Sequence, residues 1–318
     1  MKNQIFRTTV SPKYASFQLS YEDQYLCIGS CFATHLASYL KTRKFNVLEN
    51  PFGILYNPVS ILNSLRRISE NRPYSGTELH SHNGLWHSWD HHGSFKNPDQ
   101  DLCLENINTH LEQANAFIKK TSVCIITLGT ARVYRWKEND SYVANCHKVP
   151  TYEFSKELLS VQTTMQILYK CCEILREINP DVKIILSVSP IRHRADGAEA
   201  NAVSKSTLRV AIDELITQNE DVYYFPSYEI MMDDLRDYRF YEADMIHPNV
   251  QAIGYILDLF NQCLFDDPSK SLISRILALE RMVAHRSLFP DSEADREMKA
   301  SIAEKIQTLK AEFPFLAF

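Results

Sequence analysis

The chain has 318 residues, 45% hydrophobic and 23% charged, which supplies a large core and excludes a disordered polymer. A formal net charge of −5 gives no general electrostatic basis for binding nucleic acid, so no such partner is expected. Met1 to Val10 lack the apolar core of a secretory signal and no run reaches transmembrane length, so a cytoplasmic protein without a membrane partner is expected.

In chain order, Tyr25 to Ser30 reads as a buried strand, Phe32 to Lys44 as a helix and Phe45 to Leu48 as a short strand. Val59 to Ser69 is the next helix. Residues 71–100, rich in Pro, Gly, His and Trp, interrupt the alternation before a helix over Leu102 to Lys120 and a strand over Val123 to Leu128. Residues 132–149 read as a hairpin with arms Arg132 to Trp136 and Tyr142 to Ala144. Ser155 to Ile178 is predicted as one helix: Val161, Met165, Leu168, Cys172, Leu175 and Ile178 mark a face, and Asn179-Pro180 stops it. A strand over Lys183 to Val188, a helix over Ser204 to Asn219 and a strand over Val222 to Phe225 follow. Ile253, Ile256, Leu257 and Phe260 mark a closing helix. Leu272 to His285 and Asp291 to Phe313 are two further helical patterns.

Short apolar strands alternating with helices imply a parallel sheet buried on both faces with right-handed crossovers. The expectation is one α/β domain over residues 1–266, with rim insertions near 71–100 and 132–149, and a C-terminal helical extension over 267–318. Such sheets bind ligands at the carboxyl ends of their strands, where Ser30, the loop after Gly129 and the Ser189-Pro190 loop all fall. Eight cysteines without a C-x-x-C fit buried thiols better than a disulfide framework.

Gly29-Ser30-Cys31-Phe32-Ala33 closes the first strand and opens the first helix, where free N–H groups and the helix dipole favour developing negative charge. Ser30 is therefore either a nucleophile or an ordinary N-cap. Its partners are sought in Asp244-Met-Ile-His247-Pro248-Asn249, a turn entering a helix, where Asp244 can orient the His247 imidazole. Cys31 is an alternative nucleophile, with burial as its competing role. His80, His82, His87, His91, His92 and Asp90 form a dense cluster, and His87 and His91 have i,i+4 spacing. Gly84, Trp86, Trp89 and Gly93 argue against a helix there, so no metal is assigned.

These motifs, with Asn50-Pro-Phe-Gly53-Ile-Leu-Tyr-Asn57-Pro58, Trp86-His-Ser-Trp-Asp-His-His92, Thr127-Leu-Gly129-Thr130-Ala131 and Ser189-Pro-Ile-Arg192, resemble the GSCFA family of the SGNH/GDSL hydrolase superfamily. The resemblance covers about residues 20–262. It implies a flavodoxin-like three-layer αβα sandwich with a central parallel sheet and Ser-His esterase chemistry without a cofactor. Ser30 would attack an ester carbonyl, with His247 as base and Asp244 orienting it. The Ser30 and Gly53 N–H groups match two oxyanion donors, whereas Ala131 stands where the superfamily's asparagine is expected, leaving Thr130 or Asn57 as the third. His87, His92, Arg192 and Trp86 are the expected substrate contacts. The expected function is hydrolysis of a small or carbohydrate-linked acyl ester. An acyltransferase, or a noncatalytic module binding an acyl group or glycan, is the alternative.

Overall fold

The computed structural model describes residues 7–285, 288–290 and 292–316. The first six residues of the amino-terminal segment and Asp291, the first residue of the last predicted helix, lie outside them. In chain order the elements begin β1 (Gln24–Gly29), α1 (Cys31–Thr42), β2 (Asn46–Glu49), α2 (Pro58–Glu70), β3 (His80–His82), β4 (Leu85–His87), α3 (Gln100–Ile118) and β5 (Val123–Leu128). They continue β6 (Arg132–Trp136), β7 (Ser141–Val143), β8 (Phe154–Leu158), α4 (Val161–Ile178), β9 (Lys183–Val188), α5 (Ala198–Gln218) and β10 (Val222–Tyr224). A short turn, α6 (Ser227–Glu229), precedes α7 (Val250–Leu264), α8 (Asp267–Ala284) and α9 (Glu293–Glu312).

Five strands form a parallel sheet in the order β10-β9-β5-β1-β2. Counted along the chain this is the flavodoxin-like order, in which the winding reverses between β1 and β5. Alternate residues along the strands enter separate cores, as a pleat with period two requires. Leu26, Ile28, Cys124, Ile126, Ile184 and Leu186 pack under α2 to α5, while Tyr25, Cys27, Val123, Ile125 and Ile185 pack under α1 and α7. The expected three-layer αβα sandwich is thus present.

One predicted helix is corrected at its start. Residues Phe154–Leu158 form β8, paired antiparallel with β6 from Arg132↔Leu158 to Trp136↔Phe154. The predicted hairpin accordingly supplies two strands of a three-stranded sheet, β7-β6-β8. Helix α4 starts only where Ser160 accepts a hydrogen bond from the Thr163 N–H at 3.0 Å. The 71–100 insertion carries the β3–β4 hairpin, with His80 opposite His87, and no helix spans His87 to His91. Of the C-terminal helices, α8 sends Ile273 into the core beneath α1 and α7. Leu272, Ile276 and Leu279 of α8 form a separate small cluster with Leu309 of α9. Among the described residues no helix is long and apolar enough to cross a membrane.

Candidate active site

The chain leaves β1 through Gly29, whose φ of +130° brings its backbone against β5. Its N–H donates to Asn50 Oδ1 at 2.8 Å, and its carbonyl accepts from the Leu55 N–H at 2.8 Å. Asn50 also donates to Thr34 Oγ1 at 3.1 Å, so one buried amide ties the β2 exit to both β1 and α1. This clamp fixes the junction where the winding of the sheet reverses.

Ser30 is 2% exposed and caps α1, its Oγ accepting from the Phe32 N–H at 3.2 Å. The same Oγ hydrogen-bonds Thr127 Oγ1 at 2.8 Å, and the Ser30 N–H donates to the Thr127 carbonyl at 2.9 Å. Cys31, the first residue of α1, is half-buried, with Sγ 3.6 Å from the Tyr56 hydroxyl. Ser30, Cys31, Tyr56, Gly129, Ser189, Ile191, Arg192 and His193 line a small cavity of about 30 Å³. Arg192 and His193 also line an adjoining cleft of about 490 Å³ with Asn201, Tyr238, Met245 and Ile246.

Asp244 and His247 sit on a loop closed by the Glu242 N–H on the His247 carbonyl at 2.8 Å and the Asn249 N–H on the Phe240 carbonyl at 2.9 Å. Met245, with φ +59°, turns the chain so that Asp244 faces forward onto its own loop. Asp244 Oδ1 accepts the Ile246 and His247 N–H groups at 2.8 and 2.9 Å, and Oδ2 lies 2.6 Å from His247 Nδ1. These bonds hold the Asp244 carboxyl down at about 2, the two backbone donors and the imidazole all favouring its charged form. Nδ1 is thereby committed to the carboxylate, and Nε2 is left for chemistry. Among the described residues no hydrogen bond joins His247 to Ser30. His35, one helical turn beyond Cys31, has its imidazole held low by burial and then by the neighbouring His247.

The Ser30 and Gly53 N–H groups and the Thr130 hydroxyl are otherwise engaged, whereas the hydrogen bond of Asn57 uses its acceptor oxygen and not its amide N–H. Gly53 N–H donates to the Asn50 carbonyl at 2.7 Å, so at φ +74° this glycine serves the turn. Thr130 Oγ1 hydrogen-bonds Ser204 Oγ at 2.8 Å and accepts the Arg132 N–H at 3.0 Å. Asn57 caps α2 through Oδ1, which accepts the Ser60 N–H at 2.9 Å. Ala131 is packed in the core, so an asparagine at this position would be buried.

Of the expected substrate contacts, Arg192 reaches the cleft, its guanidinium 5.1 Å from the Tyr241 ring centroid. His87 does not: it is 1% exposed, folded inward by the β3–β4 hairpin against His147 and Trp89, with ring centroids 4.1 and 4.7 Å away. His92 packs on Gly53, where an added Cβ would come within 2.4 Å of His92 Cβ. Trp86 pairs through its backbone with Asn97 and packs against the core. Tyr56 and Lys205 were not singled out by the sequence. The Tyr56 carbonyl accepts the Gly129 and Thr130 N–H groups, and Lys205 Nζ donates to the Ser189 carbonyl at 2.7 Å. Burial lowers the Lys205 ammonium to about 7. A lysine three residues before Leu208 on the apolar face of α5 was the available signal.

The two insertions together hold three buried imidazoles, His87 and His91 in the first and His147 in the second. Burial lowers His87 to about 4 and His91 and His147 to about 3. Both ring nitrogens of His91 lack a hydrogen-bond partner among the described residues. Below the ordinary value near 6.5 the unfolded chain takes up protons that these folded groups refuse, so stability falls as pH drops from about 6.5 toward 4. Each contributes up to about 1.4 kcal/mol per pH unit. Urea melts at pH 7, 6 and 5 are expected to show this slope, and His91→Phe is expected to flatten it. An unchanged slope in that variant rules out His91 as a contributor. Among the described residues no group of three or more His, Cys, Asp or Glu side chains could hold a metal ion.

Fold and site together define an α/β protein with a small cavity at the carboxyl ends of β1, β5 and β9, where the winding of its parallel sheet reverses. A family model, the GSCFA family, matches residues 24–260, and the chain belongs to that family. A search of curated proteins gave no match. Among solved structures, a carbohydrate esterase family 3 protein from Talaromyces cellulolyticus matches with 13% identity and a TM-score of 0.28, over 51% of this chain and 63% of that one. An acetyl esterase mutant with acetate ion matches with 13% identity and a TM-score of 0.27, over 50% of this chain and 61% of that one. The chain thus spans less than two thirds of either structure.

Proposed function

We propose that this protein is a cofactor-independent hydrolase with an SGNH-like fold acting on short-chain acyl esters. The observation that carries the proposal is the Asp244–His247 pair, with 2.6 Å between Oδ2 and Nδ1, on a loop whose Met245 and Ile246 line a cleft that adjoins, through Arg192 and His193, the small cavity at the α1 N-terminus. A carboxylate fixing one imidazole nitrogen leaves the other to take a proton from a nucleophile and return it to a leaving alcohol.

Cavity size orders the substrate. The small pocket of about 30 Å³ at Ser30 and Cys31 favours a short acyl group. The cleft of about 490 Å³ beside it, with Arg192, His193 and Asn201, suits a polar alcohol portion such as a sugar. An acyltransferase would use the same groups with a second alcohol in place of water, and a cytoplasmic location completes the proposal. Turnover of nitrophenyl acetate above the spontaneous rate, falling as the acyl chain lengthens to octanoate, is the expected result; no turnover of either ester removes the hydrolase reading. A noncatalytic acyl- or glycan-binding role is the second reading, favoured by the internal engagement of Gly53 N–H and Thr130 Oγ1. It predicts saturable binding of an acetylated sugar with no release of acetate.

A further inference from the structure

We infer that Cys31, rather than Ser30, is the nucleophile of this cleft and carries the acyl group as a thioester. The assignment rests on the hydrolase reading of the same site and turns on how two adjacent residues are used. Ser30 Oγ is spent on the fold: it caps α1 through the Phe32 N–H and bonds Thr127 Oγ1, at 2% exposure. Its N–H is equally committed, to the Thr127 carbonyl. Attack by this oxygen would uncap α1, at a cost of about 1 kcal/mol, and would leave the oxyanion without the Ser30 N–H.

Cys31 has the complementary properties. As the first residue of α1 its N–H has no acceptor within the helix, and no other acceptor takes it among the described residues. That donor lies on the nucleophile's own backbone, at the helix end that favours negative charge. Cys31 lines the small cavity, and the Tyr56 hydroxyl, 3.6 Å from its sulfur, is placed to supply a second proton at the reacting centre. Burial and the adjacent thiol push the Tyr56 hydroxyl well above its ordinary value, which keeps it protonated. The Asp244–His247 loop borders the same site, since its Met245 and Ile246 line the cleft that Arg192 and His193 join to the small cavity at Cys31. Of the eight cysteines only Cys31 and Cys146 are not buried.

In the reaction so assigned, Cys31 Sγ bonds to the ester carbonyl carbon while the thiol proton passes to His247 Nε2. The tetrahedral intermediate collapses, the bond from carbon to the alcohol oxygen breaks, and His247 returns the proton to the departing oxygen. Water then attacks the thioester and gives up a proton to His247, which delivers it to the leaving sulfur; acid and free thiol remain.

Two measurements on the full chain test this. Wild-type protein quenched in acid during turnover of nitrophenyl acetate is expected to carry acetyl on Cys31 by peptide mass mapping, released by neutral hydroxylamine. Acetyl on Ser30 overturns the assignment. The second uses no ester: at pH 7 iodoacetamide is expected to alkylate Cys31 at least about tenfold faster than Cys146, whose thiol burial pushes up to about 11. That ratio is expected to fall about tenfold in His247→Ala and in Asp244→Asn, and a ratio unchanged in both variants overturns the activation of Cys31 by the pair. Loss of ester turnover with His247-dependent alkylation intact removes the ester reading and keeps Cys31 as the activated group. Loss of both removes both.

Discussion

His247→Ala is expected to lower kcat/KM for nitrophenyl acetate by about 10²- to 10⁴-fold, the range for loss of a positioned general base. The size of the effect follows from removing the imidazole whose Nδ1 is fixed by a carboxylate at 2.6 Å. Asp244 accepts three hydrogen bonds from its own loop, and these hold its proton affinity so low that it is a weak base at neutral pH. Asp244→Asn is expected to keep the loop fold while losing the charge that supports an imidazolium, and its loss in rate should approach that of the histidine variant. Because the Asp244 carboxyl titrates so low, the acid limb of the wild-type pH–rate profile should belong to another group. Steady-state kinetics between pH 4 and 9 check both statements. A His247→Ala protein with more than about a third of wild-type activity would remove His247 from the mechanism.

The second large effect is structural. Gly29→Ala places a Cβ 2.1 Å from the Thr127 carbonyl oxygen and 2.9 Å from its carbon, both backbone atoms of the neighbouring strand, at a φ of +130°. Neither strand can yield, because Gly29 pairs with Thr127 in the β1–β5 register and is also clamped by Asn50 and Leu55. Strain in the backbone and separation of the central strands together should cost more than about 4 kcal/mol, in the exceptional tail of point mutations. Gly84→Ala is the control: φ is +72° but nothing lies within 4 Å, so only the left-handed conformation is penalised, by about 1–2 kcal/mol. Urea denaturation compares them, and equal midpoints for the two variants would show that the clamp at Gly29 yields.

Most of the parallel sheet was legible because its strands are short apolar runs separated by periodic helices, a pattern that local composition carries by itself. The exception is β8. Phe154 to Leu158 carries no local signal that outweighs the helical face beginning at Val161, and only its pairing with β6, well separated in sequence, makes it a strand. Ser160 was the readable boundary, as the N-cap with a partner at Thr163.

In the site, the Asp244–His247 spacing could be read because both groups and the turn between them are local. Which N–H groups are free could not be read, since that depends on acceptors brought from elsewhere: the Asn50 carbonyl for Gly53, the Thr127 carbonyl for Ser30 and the Tyr56 carbonyl for Thr130. The aromatic and histidine content of residues 86–92 was visible, yet the direction in which the hairpin turns it was not. That stretch builds the interior of an insertion, with His91 stacked on Phe52 at 4.2 Å, and Arg192 alone of the expected contacts lies on the cleft.

Both the acid and the imidazole of the pair, and the two N–H groups that steady the carboxylate, belong to one loop from Glu242 to His247. The proton-handling unit is therefore a self-contained cartridge. If the loop swings relative to α1, the distance to the nucleophile changes while the internal bonds of the pair stay intact. Reactivity in this protein would then be gated by placement of the cartridge, with its proton affinity carried along unchanged.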